Sequence, residues 1–194
     1  MQENSDRKEK ELEKATGEGK KEGVGEILKF VLIVAIIVIP FRLFIAQPYI
    51  VEGASMDPTF KDGDYLIVDQ ISTHFQELKR GDVVIMRYPN DPSKFFIKRV
   101  IGLPEETVSI SKGKVYIKNS EGTERVALDE KYIVFEREED FEATLKKSEY
   151  FVMGDNRAGS SDSRVWGPLP SENIVGRPIL RLLPLQHIKF LPGQ

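Results

Sequence analysis

An apolar run near the N-terminus limits the folds open to this chain more than any other feature. Residues 30–41 contain no charged side chain, and Lys29 and Arg42 stand at the two ends. About a dozen apolar residues are fewer than the roughly 20 that a membrane-spanning helix needs. Long basic side chains can reach the lipid headgroups from within a helix, however, so the segment is long enough when both ends are counted. We therefore predict a single transmembrane helix at 27–46.

The residues in front of this run set its predicted orientation. Residues 1–26 are rich in Glu and Lys and contain no aromatic side chain, which is typical of a disordered tail. The lysines before the run predict a cytoplasmic N-terminus, whereas Arg42 at the other end opposes this assignment. A cleaved secretory signal is the alternative, but the charged lead-in is long for one and no small-x-small site follows cleanly. We expect residues 47–194 to lie on the outer face of the membrane.

The rest of the chain is dominated by short runs of β-branched and aromatic residues between turn residues. This pattern predicts strands. The predicted strands are 49–51, 65–68, 82–86, 95–101, 150–153 and 179–183. The fold class is therefore mainly β, with a β-rich domain that follows the single N-terminal helix.

One part of this domain has a different composition. Residues on both sides of Lys112-Gly113 alternate between apolar and polar, which indicates a β-hairpin over 108–117. The residues that follow are charged and irregular, and we expect one helical turn at 140–147. Together these features predict a small, variable β appendage at about 105–149.

The composition excludes several kinds of function. The chain has 194 residues, no cysteine, two histidines and a net charge of −3. Without cysteine there is no disulfide, no thiol nucleophile and no Cys-ligated zinc. His74 and His187 lie far apart, and no carboxylate cluster has the spacing of a calcium loop. The net charge gives no basic footprint for nucleic acid. We expect no metal, no cofactor and no nucleic-acid partner.

A serine and a lysine are candidates for hydrolytic chemistry. Ser55 stands about ten residues beyond the apolar run, between Gly53 and Pro58. Gly53 leaves room for a substrate backbone, and Pro58 stiffens the loop. A serine hydroxyl needs a base, and with histidine set aside that base is a lysine that burial keeps uncharged. Lys98 lies within the apolar run 95–101, where a strand would bury its amine or leave it in solvent. The pattern alone leaves both alternatives open, and an ordinary turn serine also stays possible.

A polar cluster directly follows the predicted strand 150–153. Residues 154–164 contain two Asp–Arg combinations, and Trp166-Gly167-Pro168 close the cluster. We interpret this as a rigid polar loop of the kind that orients a neighbouring catalytic centre. A long polar loop without such a role is the alternative.

Four segments stand in a fixed order along the chain: 53–59, 80–84, 98–104 and 154–164. Together they resemble the sequence boxes of bacterial type I signal peptidase, a membrane-bound protease. The resemblance covers most of residues 41–184, and four boxes in the family's order are highly specific. It implies a serine endopeptidase in the bacterial plasma membrane that removes signal peptides from secretory preproteins after small-x-small (Ala-x-Ala) sites. Its partners would be those preproteins and the lipid bilayer.

The resemblance also assigns roles to individual residues. Ser55 would be the nucleophile and Lys98 the general base. Ser160 would hydrogen-bond the Lys98 amine and orient it, and Asp162 and Arg164 would form a supporting ion pair.

Further roles follow from the same boxes. Asp155, Asn156 and Arg157 would hold the polar loop in place. Gly53 departs from members that carry a hydroxyl two positions before the nucleophile. The backbone N–H of Ser55 would then stabilise the oxyanion, with a second donor unidentified.

The substrate would bind as an extended strand with alternate side chains facing the enzyme. By alignment with the family, Val51, Met56, Phe60 and Ile97 would wall the shallow pockets for the small residues.

Two other functions stay open. One is a self-cleaving repressor-like or pilus-processing relative, against which the anchor and the box spacing argue. The other is a membrane-tethered β-domain that binds an envelope partner without catalysis.

Overall fold

A computed structural model describes residues 25–39, 46–119, 122, 125–135 and 137–193. Residues 25–39 form helix α1, which belongs to a compact unit separate from the strands. Within the described part of the chain, no helix combines the length and the apolar content that a membrane crossing requires. The predicted anchor extends over residues 40–45, which lie outside the described residues, as does the predicted tail up to residue 24.

The described residues from 46 onward form twelve strands, two short α-helices and two turns of 3-10 helix. The strands are β1 (Ala46–Ile50), β2 (Tyr65–Asp69), β3 (Val83–Tyr88), β4 (Asp91–Gly102), β5 (Thr107–Ser111), β6 (Lys114–Lys118), β7 (Val126–Ala127), β8 (Phe141–Thr144), β9 (Glu149–Met153), β10 (Leu169–Pro170), β11 (Ile174–Leu183) and β12 (Lys189–Phe190). The helices are α2 (Ser72–Phe75) and α3 (Ser163–Trp166), and the 3-10 turns are Ser171–Asn173 and Leu185–His187. The predicted mainly β fold is confirmed.

The larger sheet has eight strands in the order β1-β2-β11-β3-β4-β9-β10, with β12 also paired to β11. Its neighbouring strands are antiparallel. Most of β3 and the second half of β4 are buried on both faces, because alternate residues enter different cores. Val83, Ile85 and Ile97 join one core, whereas Val84 and Val100 join another. Burial on both faces explains why this half of β4 has apolar residues on both sides of Lys98-Arg99 rather than a polar–apolar alternation.

The smaller sheet has the order β7-β6-β5-β8 and coincides with the variable part of the sequence. The predicted hairpin is confirmed: Lys112 and Gly113 form its turn with φ angles of +48° and +78°. Positive φ at both central residues matches the twist of two antiparallel strands. This sheet shares a core with the end of β4 and with β9, in which Ile101 and Phe151 contact its apolar residues.

The helical turn predicted at 140–147 is wrong. β8 occupies Phe141–Thr144 and pairs antiparallel with β5. Phe141 and Ala143 pack against the core of the smaller sheet, whereas the alternate residues Glu142 and Thr144 are exposed. The segment is a strand because the open edge of β5 supplies its hydrogen bonds and its apolar contacts.

Candidate active site

Ser55 lies in the turn that joins β1 to β2. Gly53 begins this turn with a φ of +86°, a left-handed conformation that favours glycine, and its N–H donates to Asp62 Oδ1 at 2.8 Å. Met56 and Phe60 are fully buried and fix the other side of the turn in the core. Ser55 itself is partly exposed. Its hydroxyl is therefore held by the core and still open to a ligand.

Lys98 lies on β4, opposite Val84 of β3. Its Nζ donates to Ser55 Oγ at 2.8 Å and to the backbone carbonyl of Ile97 at 2.9 Å. The amine lies 5.3 Å from the centroid of the Phe96 ring, and Lys98 as a whole is only 3% exposed. The sequence pattern left open whether the Lys98 amine is buried or lies in solvent, and in the structure it is buried.

Burial dominates the electrostatics of Lys98. Removal from water disfavours the ammonium form and lowers the pKa of Lys98 from 10.5 to about 8. The negative charges of Asp162 and Asp155 oppose this shift, and the positive charge of Arg164 adds to it. Near pH 8 a substantial fraction of the molecules therefore carries a neutral amine that can accept a proton.

The predicted ion pair between Asp162 and Arg164 is present and bidentate. Arg164 Nε donates to Asp162 Oδ1 at 2.7 Å, and Arg164 Nη2 donates to Oδ2 at 2.8 Å. The same Oδ2 accepts the Gly154 N–H at 3.0 Å. Burial alone would raise the pKa of Asp162, but the hydrogen bonds and charge of Arg164 outweigh burial and lower this pKa. Asp162 therefore supplies a fixed negative charge near Lys98.

Asp155 connects the polar loop to β4 and to the turn between β1 and β2. Its carboxylate accepts hydrogen bonds from Arg99 Nε at 2.8 Å and Arg99 Nη2 at 2.6 Å, and from Thr59 Oγ1 at 2.5 Å. Asp155 and Arg99 are both almost fully buried. Arg99 also donates to the carbonyl of Gly81 at 2.8 Å, so the segment 80–84 contributes to the same network.

Asn156 and Gly154 hold the polar loop against the turn that carries Ser55. Asn156 donates its backbone N–H to the Ser55 carbonyl and its Nδ2 to the Ala54 carbonyl, both at 3.1 Å. A Cβ atom on Gly154 would overlap the Ser55 carbonyl and the Ser160 side chain. The loop can therefore approach the turn that carries Ser55 only because this position is glycine.

The hydrogen bond predicted from Ser160 to the lysine amine is not present. The Ser160 side chain is buried, and its hydroxyl interacts instead with the carboxylate of Asp162, whose pKa it helps to lower. The second hydrogen bond of Lys98 goes instead to the carbonyl of Ile97, the preceding residue on the same strand.

Arg157 has a partner that the sequence did not suggest. Its Nε donates to the Gly154 carbonyl at 3.2 Å, as expected of a residue that holds the loop. Its two terminal nitrogens bind both carboxylate oxygens of Glu130, which lies in the variable part of the chain. Twenty-seven residues separate the two, and no spacing rule links residues so far apart.

A cavity of about 380 Å³ lies beside Ser55 and Lys98. Two of the four predicted pocket residues, Val51 and Ile97, line it. The other two, Met56 and Phe60, do not line it, because both are 0% exposed and belong to the core. The remaining lining residues come from the end of β1, the middle strands and the start of the apolar run: Tyr49, Ile50, Glu52, Leu66, Ile85, Lys94, Phe95 and Phe96. The position of Tyr49 and Ile50 shortly before the serine in sequence could have indicated these two.

A hydroxyl within hydrogen-bond distance of a buried amine, next to an open cavity, is an arrangement suited to a peptidase. A family model described as signal peptidase, peptidase S26, matches residues 24–183. The chain belongs to this family.

Comparison with individual proteins shows which kind of signal peptidase the chain resembles. A solved signal peptidase I from Enterococcus faecalis V583 matches 53% of this chain and 97% of its own, with 28% identity and a TM-score of 0.44. The chain is 34% identical over 185 residues to "Probable signal peptidase I-1" of Synechocystis sp., with 88% of this chain and 91% of the relative covered. It is 33% identical over 189 residues to a signal peptidase I of Bacillus licheniformis, with 91% and 97% covered. By its sequence relatives the chain is a hydrolase of the signal peptidase I type, which argues against a binding domain without catalysis.

Proposed function

We propose that this chain is a serine endopeptidase that uses Ser55 and Lys98 to remove N-terminal signal peptides from secreted preproteins. One observation carries the proposal: the amine of Lys98 is buried and lies 2.8 Å from the hydroxyl oxygen of Ser55. Burial supplies the neutral base, and the short distance lets it take the serine proton without rearrangement.

The reaction is acyl transfer to serine and then to water. The neutral Lys98 amine takes the proton of Ser55 as the hydroxyl oxygen attacks the scissile carbonyl. The resulting ammonium gives this proton to the leaving amine, which departs as the new N-terminus of the mature protein. Lys98 then takes a proton from water as the hydroxide attacks the acyl-enzyme, and it returns this proton to the Ser55 oxygen as the signal peptide departs with a free carboxylate.

The developing oxyanion needs hydrogen-bond donors in a fixed position. We assign the backbone N–H of Ser55 to this role. Gly53 has no side chain to contribute, and its N–H is already committed to Asp62.

The cavity supports a preference for small side chains on the substrate. It is bounded by Val51 and Ile97 on the core side and by the partly exposed Phe95 at its rim. An extended peptide beside β1 and β4 would direct alternate side chains towards this wall. Residues one and three before the cut would then point the same way, which supports the proposed Ala-x-Ala specificity.

A membrane anchor at 27–46 would bring the site to its substrates. The apolar side chains of α1 are largely exposed, for example Phe30 at 68% and Ile37 at 64%, as lipid contact requires. We place the N-terminus in the cytoplasm and residues 47–194 outside. External protease added to spheroplasts should digest the strand-rich unit and leave an N-terminal tag intact. Loss of the tag from intact spheroplasts would contradict this orientation.

The catalytic proposal is tested with the full chain in detergent and a precursor that carries a signal peptide. Mass spectrometry of the product identifies the new N-terminus. Ser55→Ala and Lys98→Met should each abolish cleavage while the protein stays folded. Ser161→Ala, in the same polar loop, and Lys118→Met, on β6, change exposed residues of the same types and should cleave normally. Cleavage by either dyad variant would remove the dyad from consideration.

A further inference from the structure

Three side chains from the connection between β7 and β8 contact either the polar loop beside Ser55 or Arg99, which binds Asp155 of that loop. They are Glu130, Tyr132 and Glu139, here called the appendage clamp. β7 and β8 belong to the smaller sheet, whose sequence offered no indication of a function. The clamp therefore joins the variable part of the fold to the site.

Glu130 and Tyr132 form the first half of the clamp. Glu130 binds both terminal nitrogens of Arg157, and the exposed fractions of the two side chains are 10% and 4%. The Tyr132 hydroxyl donates to Glu130 Oε1 at 2.8 Å. The guanidinium of Arg99 lies 4.1 Å from the centroid of the Tyr132 ring, within the range of a cation–π contact. Arg99 is the partner of Asp155, so this half of the clamp contacts the loop through two arginines.

Glu139 forms the second half. Its carboxylate pairs with Arg164 Nη1, while Arg164 also binds Asp162 and donates to the Arg157 carbonyl at 2.8 Å. The Arg164 side chain is 3% exposed and the Glu139 side chain 20%. Both arginines of the loop 154–164 therefore have a carboxylate partner from the appendage.

Buried guanidinium groups require partners, because an unpaired charge out of water is strongly unfavourable. Arg157 has no carboxylate partner among the described residues besides Glu130. Without that carboxylate we expect Arg157 to move towards water and to take the Gly154 carbonyl with it. The same loop is bonded to the Ser55 carbonyl through Asn156 and places Asp162 near Lys98. Displacement of the loop would thus reach both members of the dyad.

We propose that Glu130 and Glu139 are positioning residues for the peptidase reaction: they hold the loop 154–164 against the turn that carries Ser55. This inference rests on the proposed Ser55–Lys98 dyad. It gives the smaller sheet a role in catalysis, since that sheet orients the connection from which the clamp extends.

The test compares Glu130→Gln and Glu139→Gln with Glu138→Gln, an exposed carboxylate in the same connection. Cleavage of a preprotein by the full chain in detergent is measured at 25 °C, together with the midpoint of thermal unfolding. Both clamp variants should lower kcat by about tenfold or more while KM changes little, because small displacements of catalytic groups slow the chemical step. Glu138→Gln should behave as wild type. Glu139→Asp keeps the charge at a partly exposed position and should recover most of the kcat.

The outcomes separate the clamp from the dyad and from general stability. Clamp variants that unfold at lower temperature but keep wild-type kcat at 25 °C would overturn the proposal, as would an equal loss of kcat in Glu138→Gln. Failure of Glu139→Asp to recover activity would also count against it. If Glu130→Gln does not fold, Glu139→Gln decides alone. Continued cleavage by Ser55→Ala would instead overturn the proposed function, whatever the clamp variants do.

Discussion

Replacement of Lys98 by methionine should make the protein more resistant to unfolding near neutral pH, and the gain should vanish in alkali. The buried amine has a pKa of about 8 instead of 10.5. At about 1.36 kcal/mol per pKa unit, keeping it charged in the folded state costs about 3 kcal/mol. A methionine side chain has a similar length and no charge, so the Lys98→Met variant does not bear this cost.

The pH dependence follows from proton binding in the two states. Between pH 8 and pH 10.5 the unfolded chain keeps a proton on Lys98 that the folded chain has lost. The free energy of unfolding of the wild type therefore rises with pH across this interval by about 3 kcal/mol from this group alone. Below pH 8 the Lys98 amine is charged in both states, so the folded wild type bears the full cost of the buried charge. The advantage of the variant should thus be about 3 kcal/mol larger at pH 7 than at pH 10.5.

Urea unfolding of the full chain in detergent measures this difference. Trp166, the only tryptophan in the sequence, packs against a core of the larger sheet and reports unfolding by fluorescence. The contributions of all other titrating groups cancel when the free energy of unfolding of the wild type is subtracted from that of the variant at each pH. Lys118→Met changes an exposed strand lysine and should give a difference that does not vary with pH. An equally constant difference for Lys98→Met would refute the argument that burial sets the state of this amine.

Three further predictions concern the same site. First, kcat/KM should rise with pH through an apparent value of about 8, since only the neutral Lys98 amine accepts a proton; a flat profile from pH 6 to 10 would contradict this. Second, Asp155→Asn leaves the buried Arg99 without its charge partner and should lower the free energy of unfolding by about 3–5 kcal/mol in the Trp166 assay, whereas a change below about 1 kcal/mol would show that the pair is dispensable. Third, Ile97→Ala should widen the cavity and speed cleavage of precursors with valine or leucine before the cut. The core variant Met56→Ala should leave this preference unchanged while lowering stability by about 2–5 kcal/mol, and an altered preference in Met56→Ala would place that residue in the pocket after all.

Local patterns were sufficient for the central strands and for the tight hairpin. Lys112-Gly113 is a turn because of the conformations these two residues adopt, and no distant partner is needed. β8 was missed because it becomes a strand only by pairing with β5, more than 30 residues earlier. β11 begins five residues before the predicted 179–183, since Gly176 and Pro178 interrupt its apolar pattern at points where its pairing shifts register.

The site was also predictable only in part, because local sequence identifies candidate residues but not the distant residues that they contact. Ser55 and Lys98 stand in distinctive local sequences, but whether the amine is buried depends on the turn that covers it. Met56 and Phe60 flank Ser55 in sequence, and neither pattern nor spacing shows which neighbours of a serine face a cavity and which face the core. The pairing of Arg157 with Glu130 depends on how two segments of the fold meet.

β4 carries two buried basic side chains next to each other, Lys98 and Arg99, and alternation along a strand sends them to opposite sides of the sheet. Arg99 meets the carboxylate of Asp155, whereas Lys98 meets an alcohol that carries no charge. A guanidinium cannot give up its proton in a protein, so exchanging the two would leave a permanent cation against the hydroxyl. With Lys98 as the proposed base, we expect such a swapped chain to have the same composition and the same net charge but no peptidase activity. The order of these two neighbouring basic residues thus decides which of them faces the hydroxyl, and a count of charges does not reveal that order.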